Sequence, residues 1–95
     1  MKLLVAEAAQ ADLQRLHTFL SDVNLESAHR AVAAITNAID SLDLFPDRGR
    51  PSPIPFIREL IVPFGSSNYV VRYTHNAERD ELIVLRIWHG RESRE

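Results

Sequence analysis

Apolar residues recur at Ala9, Leu13, Leu16 and Leu20, a 4-3-4 spacing that lines one face of a helix from Ala8 to about Leu20. Ser21-Asp22-Val23-Asn24 breaks the pattern, and Ser21 and Asn24 are candidate caps for the next element. From Leu25 to about Leu42 the stripe returns at Ala28, Val32, Ile35, Ile39 and Leu42. Glu26, Arg30, Asn37 and Asp40 take the other face. Two amphipathic helices with so short a link predict an antiparallel hairpin. Ahead of them, Lys2 to Ala6 reads as a short strand that Glu7 ends.

The second half changes period. Residues Pro46 to Pro55 carry four prolines and one glycine, which predicts a loop. Strand patterning follows at Ile57–Val62, Asn68–Thr74 and Glu81–His89. A turn at Phe64–Ser67 and a polar loop at His75–Asp80 separate them. The predicted fold class is α+β: an N-terminal strand, a helical hairpin and a three-stranded antiparallel meander, with helices over one sheet face. The N-terminal strand is expected to join the same sheet. The expected core includes Leu13, Leu16, Val32, Ile35, Ile39, Val71, Leu85 and Ile87.

Alternation along the strands then places the side chains. Tyr69, Val71 and Tyr73 share one face of the middle run, and Val70, Arg72 and Thr74 the other. In the last run Leu82, Val84, Arg86 and Trp88 share a face. Ile83, Leu85, Ile87 and His89 share the opposite one and, being apolar until the strand end, are expected against the helices. Arg86 is therefore expected to face away from the helices, beside Arg72, with Val84 and Trp88 flanking it. A face with Trp88, Val84 and two arginines is suited to binding an anionic or protein partner.

Ninety-five residues make a single domain, taken as 1–95. The absence of cysteine removes disulfide and thiolate chemistry. His17, His29, His75 and His89 lack the paired spacing of a zinc site, so neither metal nor cofactor is expected. Met1–Ala6 is too short an apolar run for a signal peptide. No segment approaches the roughly 20 apolar residues of a membrane span. These features point to a cytoplasmic protein without a membrane partner.

Charge sharpens the picture. Residues 1–47 hold three basic residues against seven acids, a net of −4. Residues 48–95 hold eight arginines against six acids, a net of +2, so the chain totals −2. Ten of the eleven basic residues are arginine, the cation suited to bidentate contacts with carboxylate or phosphate.

The order of elements resembles the RelE/ParE toxins of bacterial type II toxin–antitoxin modules. So do the Pro46…Gly49-Arg50-Pro51 loop, the Tyr69-Val70-Val71-Arg72-Tyr73 strand and the Ile87-Trp88-His89-Gly90-Arg91 ending. The resemblance spans nearly the whole chain and lies in the ordered set rather than in one motif. It implies a growth-inhibiting toxin, neutralised by a cognate antitoxin whose C-terminal segment wraps it in a hetero-oligomer.

Within this family RelE-like members cut mRNA on the ribosome, and ParE-like members poison DNA gyrase. Cutting needs a base for the 2′-hydroxyl, arginines on the phosphate and an acid for the 5′-oxygen. Many cutters resembling this chain carry a carboxylate where Ser52 stands and an arginine where Tyr69 stands. Both departures remove groups the chemistry uses. The net charge of −2 also suits a protein target better than RNA. The resemblance therefore leans towards a non-enzymatic, ParE-like toxin that engages its target through Trp88, His89 and Arg91. The alternative is a ribonuclease with Arg72, Arg86, His89 and Arg91 as candidate catalytic residues, His89 serving as the acid. A degenerate member that only binds its antitoxin is the third reading.

Overall fold

The computed structural model describes residues 1–92. Its elements are β1 (Lys2–Val5), α1 (Glu7–Ser21), α2 (Leu25–Ser41), β2 (Arg50–Pro51), β3 (Ile57–Phe64), β4 (Ser67–Asn76) and β5 (Glu81–His89). All five strands form one sheet in the order β1-β5-β4-β3-β2. The meander β3-β4-β5 is antiparallel, and β1 lies parallel to β5. The helical hairpin supplies the crossover that a parallel neighbour requires. The class is α+β, as the pattern predicts. One strand is additional: Arg50 and Pro51, inside the expected loop, pair with Glu59 and Arg58. Proline is tolerated there because β2 is an edge strand.

Local chemistry sets the helix boundaries. Helix α1 starts directly off β1 with no side-chain cap at Ala6. The Ala6 N–H donates instead to the Val84 carbonyl (2.8 Å), and the Gln10 amide reaches the Val5 carbonyl (2.9 Å). Asn24 caps α2, its Oδ1 accepting the Ser27 N–H at 3.1 Å. Ser21, the other candidate cap, stays in the last turn of α1, where its hydroxyl donates to the His17 carbonyl at 2.7 Å.

The core lies between the hairpin and one sheet face. Leu16, Ile35, Ile39, Val71 and Ile87 are buried in one cluster, as expected. Leu13 packs against it partly buried, whereas Val32 and Leu85 are only half-buried. Ile35 is fully enclosed. Ile35→Ala is expected to cost about 2–5 kcal/mol through lost burial and the cavity left behind. A chemical-denaturation difference below 1 kcal/mol, on the order of a surface change, would contradict this packing.

Alternation fails at one place. Arg72 pairs with Arg86 but Tyr73 pairs with Val84, so Leu85 is an extra residue that bulges from β5. The bulge lets Leu82 and Val84 face the core before it and Ile87 face the core after it. The expected face assignment therefore holds from Ile87 onwards and inverts for Leu82–Leu85.

A tyrosine fixes the turn between α2 and the sheet. The Tyr73 hydroxyl donates to the Pro46 carbonyl (2.7 Å) and accepts the Gly49 N–H (2.8 Å). Gly49 lies so close that an added Cβ would sit 2.7 Å from the Tyr73 ring. The same turn accepts Arg58 Nη1 at the Gly49 carbonyl, 2.7 Å. Residues Pro46–Arg50 are thereby held against β3 and β4 despite their loop composition.

Candidate functional site

Arg72 and Arg86 face each other across β4 and β5, but carboxylates already hold both. The Glu59 Oε2 accepts Arg72 Nη2 at 2.9 Å and Nε at 3.3 Å. Arg50 approaches the other oxygen of Glu59 at 3.6 Å. A cross-sheet row Arg50–Glu59–Arg72–Arg86 results, in strand register from β2 to β5. The Arg72 guanidinium also lies over the Trp88 ring at 4.8 Å. Trp88 is only 6% exposed. This corrects the expectation of an exposed tryptophan: Val70 stands opposite it in register and Arg72 covers its ring.

Arg86 corrects a second expectation. Its guanidinium is not left on the open face but bonds Asp12 of α1 through Nε (2.8 Å) and Nη2 (3.2 Å). Asp12 also accepts the Ile87 N–H at 2.8 Å. Pairing with β1 ends at Val84, so Asp12 acts where a strand partner has run out. Burial raises the Asp12 pKa. Hydrogen bonds from Arg86 and Ile87 and the charges of Arg86 and Arg15 outweigh it, leaving the pKa below the usual carboxylate value. Alternation along β5 gave no sign of this contact. A sign lay in α1, where Ala9, Asp12 and Leu16 share the buried stripe, since an acid there needs a partner.

His89 and Arg91 lie elsewhere, on a groove of about 600 Å³ between α1 and the sheet end. Leu16, Phe19 and Leu20 form one wall, Phe64 and Tyr69 the other, with Arg15 and Arg91 among the lining residues. The His89 Nδ1 accepts the Arg91 N–H at 3.1 Å, so a neutral ring carries its proton on Nε2, which bonds Ser67 Oγ at 2.7 Å. Tyr69 meets the imidazole edge-on at 5.3 Å. Burial, and then the charge of Glu92, pushes the Tyr69 pKa up. Arg15 bridges Glu92 (3.1 Å) and Asp12 (3.6 Å), tying the segment after β5 to α1. The three expected target-binding residues therefore divide. His89 and Arg91 share the groove, and Trp88 is buried outside it.

The carboxylate that lines the concavity with Ser52 is Asp47, which Arg58 engages at 3.7 Å. The Ser52 hydroxyl closes on its own loop, bonding the Ile54 N–H and carbonyl, each at 3.1 Å. Sequence patterning missed Asp12, Glu59, the groove wall at Phe19 and the exposed Phe56.

A family model described as "ParE toxin of type II toxin-antitoxin system, parDE" matches residues 3–94. The chain belongs to this toxin family. Toxin RelE1 of Caulobacter vibrioides is 41% identical over 91 residues, covering 96% of this chain and 95% of the relative. Toxin RelE3 of the same organism is 33% identical over 86 residues, covering 90% of each. A solved chain titled "Chromosomal ParDE TA system from P. aeruginosa" superposes with a TM-score of 0.78 at 25% identity, over 94% of this chain and 95% of that one. As a type II toxin of the ParE/RelE family, the protein has a cognate antitoxin as its implied partner. The relatives' names straddle both branches, so the names do not choose a target. No helix among the described residues is long and apolar enough to cross a membrane.

Proposed function

We propose that this toxin arrests growth by binding a protein target, a topoisomerase such as DNA gyrase, in the cytoplasm and without hydrolytic chemistry. The observation that carries this reading is the pairing of Arg72 with Glu59 and of Arg86 with Asp12. An arginine that must hold a scissile phosphate would first have to leave a carboxylate, at an electrostatic cost. His89 has both ring nitrogens engaged within the fold, and Ser52 offers no carboxylate as base. The net charge of −2 adds no general attraction to RNA.

The antitoxin is assigned to the groove beside His89. Phe19, Leu20 and Phe64 supply apolar walls, with Arg91 beside them and Arg15 bridged to Asp12 and Glu92. Such a groove suits an amphipathic segment with apolar anchors and neighbouring acids, in a toxin–antitoxin hetero-oligomer. Exposed Val23 and Leu25 at the hairpin tip extend the apolar surface beyond Phe19.

Inducing the chain without its antitoxin tests the reading. The expected result is DNA breakage, an SOS response and inhibited gyrase supercoiling, with mRNA intact. Codon-phased mRNA cuts in a translating extract, lost in His89→Gln, would restore the ribonuclease reading, in which Arg72, Arg86, His89 and Arg91 act on RNA. Growth unaffected by induction would leave a degenerate toxin that binds only its antitoxin.

A further inference from the structure

Phe56 is 92% exposed and holds a left-handed backbone, φ +67°. Left-handed backbone is unfavourable for any side chain but glycine, and full exposure returns nothing by burial. The conformation is nevertheless locked. Ser52 N–H donates to the Ile57 carbonyl (2.9 Å), and Ile57 N–H to the Ile54 carbonyl (3.2 Å). Thr74 Oγ1 donates to the Phe56 carbonyl (2.8 Å). Pro51, Pro53 and Pro55 fix φ along the same loop. Folding energy is spent on presenting an aromatic ring to solvent, which is the signature of a pre-organised contact.

The ring has apolar company. Ile54 is exposed beside it, and the concavity under the loop shares Asp47 with the one lined by exposed Leu44 and Phe45. Charge near this prominence is net +1: Arg48, Arg50 and Arg58 stand against the exposed Asp43 and Asp47, and Glu59 cancels Arg72. Asp47 is engaged by Arg58 at 3.7 Å, and Glu59 is shared between Arg50 and Arg72. Arg48 has no acidic partner among the described residues. We propose that the Leu44–Phe45 and Ile54–Phe56 prominence docks into an apolar cleft rimmed by carboxylates on the toxin's protein target. Scattered arginines beside a patch of two aliphatic residues (Leu44, Ile54) and two aromatic ones (Phe45, Phe56) fit such a cleft, whereas a nucleic-acid strand calls for a track of cations along its phosphates. The surface is separate from the antitoxin groove. Phe56 precedes Ile57, at the opposite end of β3 from Phe64, and seven residue steps of strand span roughly 23 Å.

The inference rests on the protein-targeting reading, and the test keeps the two apart. Phe56→Gly removes the ring and relieves the left-handed backbone, so its melting temperature should equal or exceed that of the unmodified toxin. Antitoxin affinity should stay within twofold. Growth arrest should be lost, and the concentration that half-inhibits gyrase supercoiling should rise at least tenfold. If the unmodified toxin leaves gyrase untouched but Phe56→Gly still abolishes growth arrest, the choice of gyrase fails and the docking surface stands. Full toxicity in Phe56→Gly would overturn the surface and leave the proposed function intact. Single-stranded oligonucleotide binding that disappears in Phe56→Gly would also overturn it, in favour of base stacking. A chain that arrests no growth would overturn both.

Discussion

Tyr73→Ala is expected to lower stability by about 3–5 kcal/mol, the range for emptying a large aromatic site in a core. A domain of this size holds on the order of 5–15 kcal/mol in total, so the variant should be partly unfolded at moderate temperature. Tyr73 heads the fully buried side chains by size. Its loss opens a cavity under β4 and orphans the Pro46 carbonyl and the buried Gly49 N–H. Tyr73→Phe isolates the second effect: it keeps the ring and should still cost about 1–3 kcal/mol for the unmade hydrogen bonds. Burial also raises the Tyr73 pKa, the largest influence on it, with Gly49 N–H and Arg58 working in the opposite sense. The unfolded tyrosine ionises near pH 10 while the native one stays protonated. Stability from Tyr73 is therefore complete below about pH 10 and declines as pH rises from there through the native pKa. Urea unfolding at neutral pH and above pH 10 checks both statements. A Tyr73→Ala midpoint close to that of the unmodified protein would show that Pro46–Arg50 is held by something else.

The pattern of apolar residues announced the architecture because helices α1 and α2 bury regular stripes and β3–β5 are long and rich in branched residues. Two features broke the rules that made this possible. Alternation assumes one residue per step, and the bulge at Leu85 adds a step, exchanging the faces of Leu82–Leu85. Nothing within β5 marks that position; only pairing with β4 defines it. Strand β2 was hidden because its two residues sit among prolines, and a pair of ladder contacts leaves no periodic trace. The site was less legible than the fold. Arg72, Arg86, His89 and Arg91 were singled out by type and place, but their availability depends on partners distant in sequence. Glu59 neutralises Arg72 from 13 residues away and Asp12 neutralises Arg86 from 74. Trp88 looked like an interface anchor because alternation puts it beside Arg86 on the face away from the helices, whereas Arg72 and Val70 from the adjacent strand enclose it.

Asp12→Ala should also be damaging, although Asp12 lies on a helix whose neighbouring positions are largely exposed. It leaves the Ile87 N–H without a partner at a buried strand position, a loss of about 1–3 kcal/mol. It also releases Arg86 and removes one of the two acids that Arg15 bridges. A double-mutant cycle separates these effects. Arg86→Ala should matter in the unmodified protein and much less once Asp12 is gone, because the two share one interaction. Asp12→Asn refines the test, since its amide oxygen can still accept the Ile87 N–H while the charge is lost. The native pKa of Asp12 is lowered relative to the unfolded chain. Its charge therefore contributes stability that is fully present above the unfolded carboxyl pKa of about 3.9 and is lost as pH falls through the lower native value. The unmodified protein should be more stable than Asp12→Asn above that pH, and the difference should vanish in stronger acid. A difference that stays constant from neutral pH into acid would mean that Asp12 works through shape and hydrogen bonding alone. Arg86 would then have a free charge to offer, and the case against a phosphate-binding role for it would weaken.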